Sequence, residues 1–391
     1  MKKKVLFIMS SLRSGGAERS LINLLQLFDY NLYDVDLLLF QQEGMLLNQL
    51  PKEVNLISDN SKLHTLYKTK TNGLIEWKHL LLSILHIYAT ICSKMKEKNE
   101  LRSRQYRWNR YYNKIIAPMN ESYDIAIAYI QGESTYYLVD KVVADKKIAW
   151  VHTDYSKIEP YKEMDYGYFE KVDKIVSISD VCVDSLKKEF PTISDKIYML
   201  PNLISSAVVR DLANAFYPPE FNKEITQFVS VGRLHKVKGF DLAIKAAAIL
   251  KQRGLTFKWY IMGNGELKAE LEKMIQHEDV SDCFELIGAR ENPYPYIKNA
   301  DVVVQTSRFE GKSVVLDEAK ILGRPIVVTN YPTVRDQINE NEGLIVEINE
   351  KAIADGIETI LPVKEQYITY LNAHEYGNQN EIESYYKLIE E

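Results

Sequence analysis

The 391-residue sequence has little cysteine: Cys92, Cys182 and Cys283 stand far apart, with no CxxC pair. That spacing excludes a disulfide framework and a cysteine-based zinc site, and it suits a reducing cytosol. No stretch reaches the ~18 uninterrupted apolar residues that span a bilayer. The nearest, Leu80–Cys92, is broken by His86. The opening Met1–Lys4 followed by Val5–Met9 imitates a signal peptide, but the apolar run stops at Ser10-Ser11-Leu12-Arg13. It is too short for an h-region and reads as a first core strand. GxGxxG, HExxH and GxSxG are all absent, which excludes a dinucleotide fingerprint, a zincin site and a nucleophile elbow. A formal charge of −5 argues against a dedicated nucleic-acid binder.

Apolar residues, by contrast, make up 46% of the chain, enough for two sizeable cores. Short Val- and Ile-rich runs alternate with helix-length amphipathic segments. Candidate strands are Val5–Met9, Val35–Phe40, Ile125–Tyr129, Lys147–Val151 and Lys174–Ile178, then Phe228–Val231, Lys258–Met262, Cys283–Ile287, Val302–Gln305 and Ile326–Thr329. Such alternation predicts an α/β class of parallel sheets covered on both faces. Two Rossmann-like, doubly wound domains are expected, over 1–203 and 204–374. Glu375–Glu391 reads as a final helix that packs back on the first domain.

Residues 60–118 carry no strand signal and form an expected helical insertion. From Lys94 to Lys114 there are eight cations (Lys94, Lys96, Lys98, Arg102, Arg104, Arg107, Arg110, Lys114) against Glu97 and Glu100, so 8 − 2 = +6. Tyr106, Trp108, Tyr111 and Tyr112 are interleaved, and the apolar Leu80–Ile91 segment precedes them. Two readings stand level: a face for an anionic membrane through 80–114, or an excursion whose apolar side packs on its own domain. Single-stranded nucleic acid is a distant third.

Three loops carry chemistry. After the first strand, Gly15-Gly16 at a strand-to-helix turn lets backbone amides approach an anion; alone this is a weak signal. In the second half, Gly232-Arg233 and Lys238-Gly239 lie just past the carboxyl end of a strand, where open α/β sheets bind ligands. A guanidinium and an ammonium there would neutralise a diphosphate. Third, Ser307–Ala319 follows the Val302–Gln305 strand, with Ser313 placed to cap a helix ending near Gly323-Arg324-Pro325. Glu310 would sit in the loop and Glu318 on the helix, still facing the cleft, each suited to a vicinal diol. Amides around Gly311–Val314 would point at a phosphate. The bland reading has Glu310 capping the helix and Glu318 exposed on it. Asp34-Val35-Asp36 has DxD spacing but opens a strand, away from the ligand edge, and reads as structural.

Gly232-Arg233 with Lys238-Gly239, Glu310 with Glu318, and the early Gly15-Gly16-Ala17-Glu18 resemble glycosyltransferase family 4, of the GT-B fold. The resemblance covers nearly the whole chain, is clearest over 228–329 and weakest over 60–118. It implies a retaining, metal-independent hexosyltransferase that needs no cofactor. A nucleotide-sugar, a UDP-sugar before GDP-mannose, would give its sugar to a glycan acceptor between the domains. The acceptor expected is a lipid-linked saccharide of bacterial surface-polysaccharide assembly, because the basic insertion could bring the enzyme to an anionic membrane. The enzyme would be cytoplasmic, or peripheral on the inner membrane face.

Residue by residue, the resemblance gives Arg233 and Lys238 the diphosphate, Glu318 the ribose and Glu310 the sugar hydroxyls. Amides of Gly311, Lys312, Ser313, Val314 and Val315 would help, with Gly15, Gly16, Gly232 and Arg290 completing the donor set. His152, at the end of the Lys147–Val151 strand, would lie near the sugar's C6 hydroxyl, with Asp154 a less secure polar contact and His235 a loop residue. Lys312 departs from the family's usual second glycine and aromatic, so donor identity stays open. The alternatives on the same fold are a nucleotide-sugar 2-epimerase, a phosphorylase, or a non-catalytic nucleotide-sugar-binding subunit.

Overall fold

The computed structural model describes residues 2–13, 15–58, 61–67 and 80–391. Residues 60 and 68–79 of the expected insertion, and Ser14 of the glycine turn, lie outside the described residues. The chain divides into two compact units. One comprises Met1–Arg13, Ala17–Pro201 and Ile382–Glu391, and the other Ser14–Gly16 and Asn202–Glu381.

The first unit is built on β1 (Lys3–Met9), β2 (Tyr33–Leu39), β3 (Asn55–Leu56), β4 (Ser122–Ala128), β5 (Val143–Val151), β6 (Lys174–Ser177) and β7 (Ile197–Met199). Their order is β3-β2-β1-β4-β5-β6-β7 and every pairing is parallel. The second holds β8 (Thr226–Val231), β9 (Phe257–Met262), β10 (Phe284–Leu286), β11 (Val302–Gln305), β12 (Ile326–Thr329) and β13 (Gly343–Val346). Its order, β10-β9-β8-β11-β12-β13, is parallel as well. Central strands are apolar on both faces, as a sheet covered by helices requires: Val5–Met9 are all fully buried. Both sheets are doubly wound, as the alternation predicts. Strand order reverses between β1 and β4 and between β8 and β11, and those switch points open the crevices where such folds bind ligands.

The C-terminal segment is helical over a shorter range than expected, Ile382–Glu390, behind a short turn at Gln379–Glu381. It belongs to the first unit. Tyr385 stacks on Trp150 at 5.9 Å and Trp150 on Tyr129 at 5.3 Å. Each such pair contributes about 0.5–1.5 kcal/mol beyond its burial. Glu390 accepts from Tyr33 at 2.7 Å and pairs with Lys3 at 2.5 Å.

Among the described residues, 61–67 and 80–118 contain helices and no strand. Trp108 and Tyr112 are fully buried in the core of the first unit. Arg104 pairs with buried Glu133 at 3.0 Å, Arg107 lies 3.9 Å from the same carboxylate, and Tyr67 donates to it at 2.7 Å. Part of the basic composition is thus consumed inside the fold, since a buried carboxylate needs a charged partner.

Candidate active site

Strands β8 and β11 are neighbours in register, Val302 opposite Phe228 and Val303 opposite Val229, so the loops that follow them emerge side by side. The first runs from Gly232 to Gly239. The Lys238 stem lies across Gly232, where an added Cβ would stand 3.2 Å from Cδ. Gly239 has φ +67°, and a Cβ there would sit 2.0 Å from the Thr306 carbonyl, so only glycine fits. Thr306 Oγ1 donates to the Lys238 carbonyl at 3.0 Å, and the Arg308 amide to the Val237 carbonyl at 2.7 Å. The Arg308 fork grips Asp241 at 2.7 and 2.6 Å. The two loops are therefore held as one piece.

Two predicted residues, 72 positions apart, meet here: Lys238 Nζ lies 2.5 Å from Glu310 Oε1. The same oxygen accepts from Ser307 Oγ at 2.6 Å and Gln305 Nε2 at 3.3 Å. The Glu310 carbonyl accepts from Thr333 at 2.9 Å. Glu310 does not cap the helix. One ammonium donor is spent on it and two remain, while Glu310 Oε2 has no hydrogen bond among the described residues. Arg233 is exposed, and its guanidinium has no partner among the described residues. Lys312 likewise makes no side-chain hydrogen bond there.

Ser313 occupies the N-cap position of helix Val314–Ile321, but its hydroxyl does not cap. It donates instead to Gln305 Oε1 at 2.7 Å. Its amide, expected to face a phosphate, is taken by Gln337 Oε1 at 2.8 Å, and Gln337 Nε2 returns a bond to the Ser313 carbonyl at 3.0 Å. That corrects the expectation for Ser313: it fixes the loop. The amides of Gly311, Lys312, Val314 and Val315 make no backbone bond outside the helix. The helix ends before Gly323, at φ +64°, close to the expected stop.

Glu318 is fully buried, so the bland reading of an exposed helical glutamate does not hold. Arg290, expected at the donor, is ion-paired in this structure. Its guanidinium bonds Glu220 at 2.7 Å and the Tyr296 hydroxyl at 3.1 Å, because Glu220 lies unforeseen in the stretch before β8. Gln305 and Gln337 escaped sequence reasoning. No motif marks them, and a polar residue ending the buried β11 strand is the one available signal.

In the first unit, His152 follows β5 directly. Neither ring nitrogen finds a partner of good geometry among the described residues, and the ring tilts against Tyr129 at 5.0 Å. Burial lowers the imidazole to about 4, the Tyr129 backbone offsetting part of that effect. The ring is neutral at physiological pH. Asp154 is buried; burial raises its carboxyl, but hydrogen bonds from Ser185 and Ser156 outweigh this and hold it low. It organises its own turn and is not open to a substrate. His235 accepts from the Val237 amide at 3.2 Å, within its loop. Asp36 of the DxD accepts from Asn55 at 2.7 Å and Tyr123 at 2.8 Å, which ties it to its own sheet. Gly15 and Gly16 lie where β1 turns into helix Gly16–Leu27.

Residues 214–379 match the family model described as glycosyl transferases group 1. The match lies wholly within the second unit. An uncharacterized glycosyltransferase of Methanocaldococcus jannaschii is 26% identical over 200 residues, 48% of this chain and 49% of that protein. Campylobacter jejuni N-acetylgalactosamine-N,N'-diacetylbacillosaminyl-diphospho-undecaprenol 4-alpha-N-acetylgalactosaminyltransferase is 36% identical over 34% of this chain and 36% of its own. The chain thus spans about half the length of the first of these relatives and about a third of the second.

Likeness of fold runs further. A TarM variant of S. aureus, solved with UDP, fondaparinux and α-GlcNAc-glycerol, gives TM-score 0.68 at 14% identity over 99% of both chains. Anabaena HepE with UDP and glucose gives 0.66 at 14% identity over 94% and 92%. At such identities the likeness shows fold alone, and that fold is GT-B.

Proposed function

We propose that this chain is a glycosyltransferase of the group 1 kind, which moves a sugar from a nucleotide-sugar, a UDP-sugar, to a glycan acceptor, with retention at the anomeric carbon and without a metal. The observation that carries the reading is the meeting of Lys238 and Glu310 at the switch point, in the loop pair that also bears the exposed Arg233. Two cations beside a leaving diphosphate, Lys238 held in place by Glu310, lower the barrier most when charge gathers on its bridging oxygen. Arg233 and the two spare Lys238 donors take that charge, with the amides of Gly311, Lys312, Val314 and Val315 adding dipoles. Glu310 Oε2 takes a hydroxyl of the transferred sugar; Glu318, which the resemblance gives to the ribose, takes it once its buried carboxylate is opened to the ligand.

The bond from the anomeric carbon to the phosphate oxygen breaks. The acceptor oxygen bonds to that carbon on the same face, and its proton passes to the departing oxygen. Support for UDP comes from HepE and TarM, both solved with it. Support for a lipid-linked saccharide acceptor comes from the Campylobacter relative's diphospho-undecaprenol substrate, and for surface polysaccharide from relatives of amylovoran biosynthesis.

Melting in the presence of UDP, GDP, ADP and CMP, with a chelator present, tests the donor site. One nucleotide is expected to raise the midpoint, since binding to the native state stabilises it by mass action. No shift with any of the four sinks the reading. Proton NMR of the donor then separates transfer from its rivals: epimerisation proceeds without an acceptor, and a binding subunit leaves the donor intact even with one.

A further inference from the structure

Helix Leu80–Lys96 is apolar nearly all round, and its charges are confined to the last turn. One side packs on the first unit: Ala89 and Ser93 are buried, and His86 Nδ1 meets the Tyr112 hydroxyl at 2.7 Å. At about 100° per residue, Leu81, Ile84, Ile87, Tyr88, Ile91 and Met95 fall on the opposite side. All six are exposed, from 50% at Ile87 to 82% at Leu81. A helix apolar on both sides has a second apolar neighbour, and a contiguous stripe of this kind marks an interaction surface.

The charges beside the stripe say which neighbour. Of the eight cations in the segment, Arg104 and Arg107 face Glu133 and Arg102 donates to the Glu159 carbonyl at 3.0 Å. Lys94, Lys96 and Lys98, at the end of the stripe, are exposed, as are Arg110 and Lys114 further on. Glu97 is bound to the Tyr161 hydroxyl. What remains at the surface is an apolar stripe that ends in lysines on a chain of net charge −5. Among the described residues no helix is long and apolar enough to cross a membrane. Such a helix lies in the interface, its apolar side among acyl chains and its lysines at anionic headgroups.

We propose that the outer face of helix Leu80–Lys96 docks this protein on an anionic bilayer. The inference stands on the first unit alone and does not depend on the donor site. Deleting 80–114 would be a poor test, because Trp108 and Tyr112 would leave the core with it. Flotation of the full chain with vesicles of phosphatidylcholine, alone and mixed with phosphatidylglycerol, is compared for three proteins. They are the wild type, Ile84→Ser/Ile87→Ser/Ile91→Ser and Lys94→Glu/Lys96→Glu/Lys98→Glu.

The wild type is expected to float with the mixed vesicles and to be released by high salt. Each variant should partition at least about tenfold less, with unchanged melting and unchanged binding of soluble nucleotide. A wild type that ignores anionic vesicles, or a serine variant that floats equally well, overturns the proposal. So does a wild type that is dimeric without vesicles while the serine variant is monomeric, since the stripe would then cover a second copy. Nucleotide binding read on the same samples keeps the outcome separate from that of the transferase reading.

Discussion

The two sheets share a strand order around the switch point, yet their carboxyl edges are chemically unlike. Past β8 and β11, long polar side chains lock two loops together: Lys238 to Glu310, Arg308 to Asp241, Gln305 to Glu310 and Ser313. Past β5, His152 keeps both ring nitrogens unbonded among the described residues, with its amide on the Gln131 side chain at 3.2 Å. Strand order supplies a crevice in each unit. The residues that follow the strands decide whether it holds a fixed charge array or a neutral wall. An array fixed before the ligand arrives needs no reorganisation as charge develops.

Removing the charge from the second edge breaks the comparison most severely. Lys238→Met keeps the stem over Gly232 and deletes the ammonium. The value of kcat/KM with the cognate donor is expected to fall on the order of 10²–10³-fold, about 3–4 kcal/mol, with melting little changed. Glu310→Gln should lose a similar amount, since an amide carries no negative charge to hold the lysine. Turnover of Lys238→Met within about threefold of wild type would mean that the array does no chemistry.

The first edge is broken by acid. The His152 imidazole is lowered from 6.5 to about 4, so the unfolded chain takes up the proton first as pH falls. Its contribution is complete above about pH 6.5 and disappears as pH falls towards about 4, a loss on the order of 3 kcal/mol. Urea unfolding at pH 7 and near pH 4 measures it. His152→Asn should flatten that part of the profile; an unchanged slope would place the titration elsewhere.

A smaller effect tests how the second edge is held. Gln337→Ala leaves the Ser313 amide without its partner in a buried place, at a cost of about 1–3 kcal/mol in denaturant unfolding. If the locked loops matter for positioning, kcat should fall with it while nucleotide affinity holds. A loss of stability with kcat intact would leave Gln337 a purely structural residue.

Which parts of this were legible follows from where the signal resides. Long apolar strands such as Val5–Met9 announce themselves by composition. The two-residue β3 at Asn55–Leu56, β7 at Ile197–Met199 and β13 after Gly343 do not, being short strands outside the centres of their sheets. Gly232, Lys238 and Glu310 could be picked out because a glycine or a charge directly after a buried strand adds little to packing and much to ligand binding. Gln305 and Gln337 could not, since each acts only through partners far along the chain. The same holds for Ser313: a serine before a helix reads as a cap, and only the fold reveals that Gln305 takes its hydroxyl.

Arg290 gives the smallest and most discriminating test. Sequence assigns it to the donor; the structure gives its guanidinium to Glu220 and lays it over the Tyr296 ring at 5.7 Å. Both partners of the ion pair are partly exposed, so Arg290→Ala should cost less than about 1 kcal/mol in unfolding. If the pair is permanent, nucleotide affinity should change by less than about threefold. A larger loss, reproduced by neither Glu220→Gln nor Tyr296→Phe, would mean that the arginine leaves Glu220 when nucleotide binds. The second edge would then be completed by its ligand, and its contrast with the His152 edge would be one of degree.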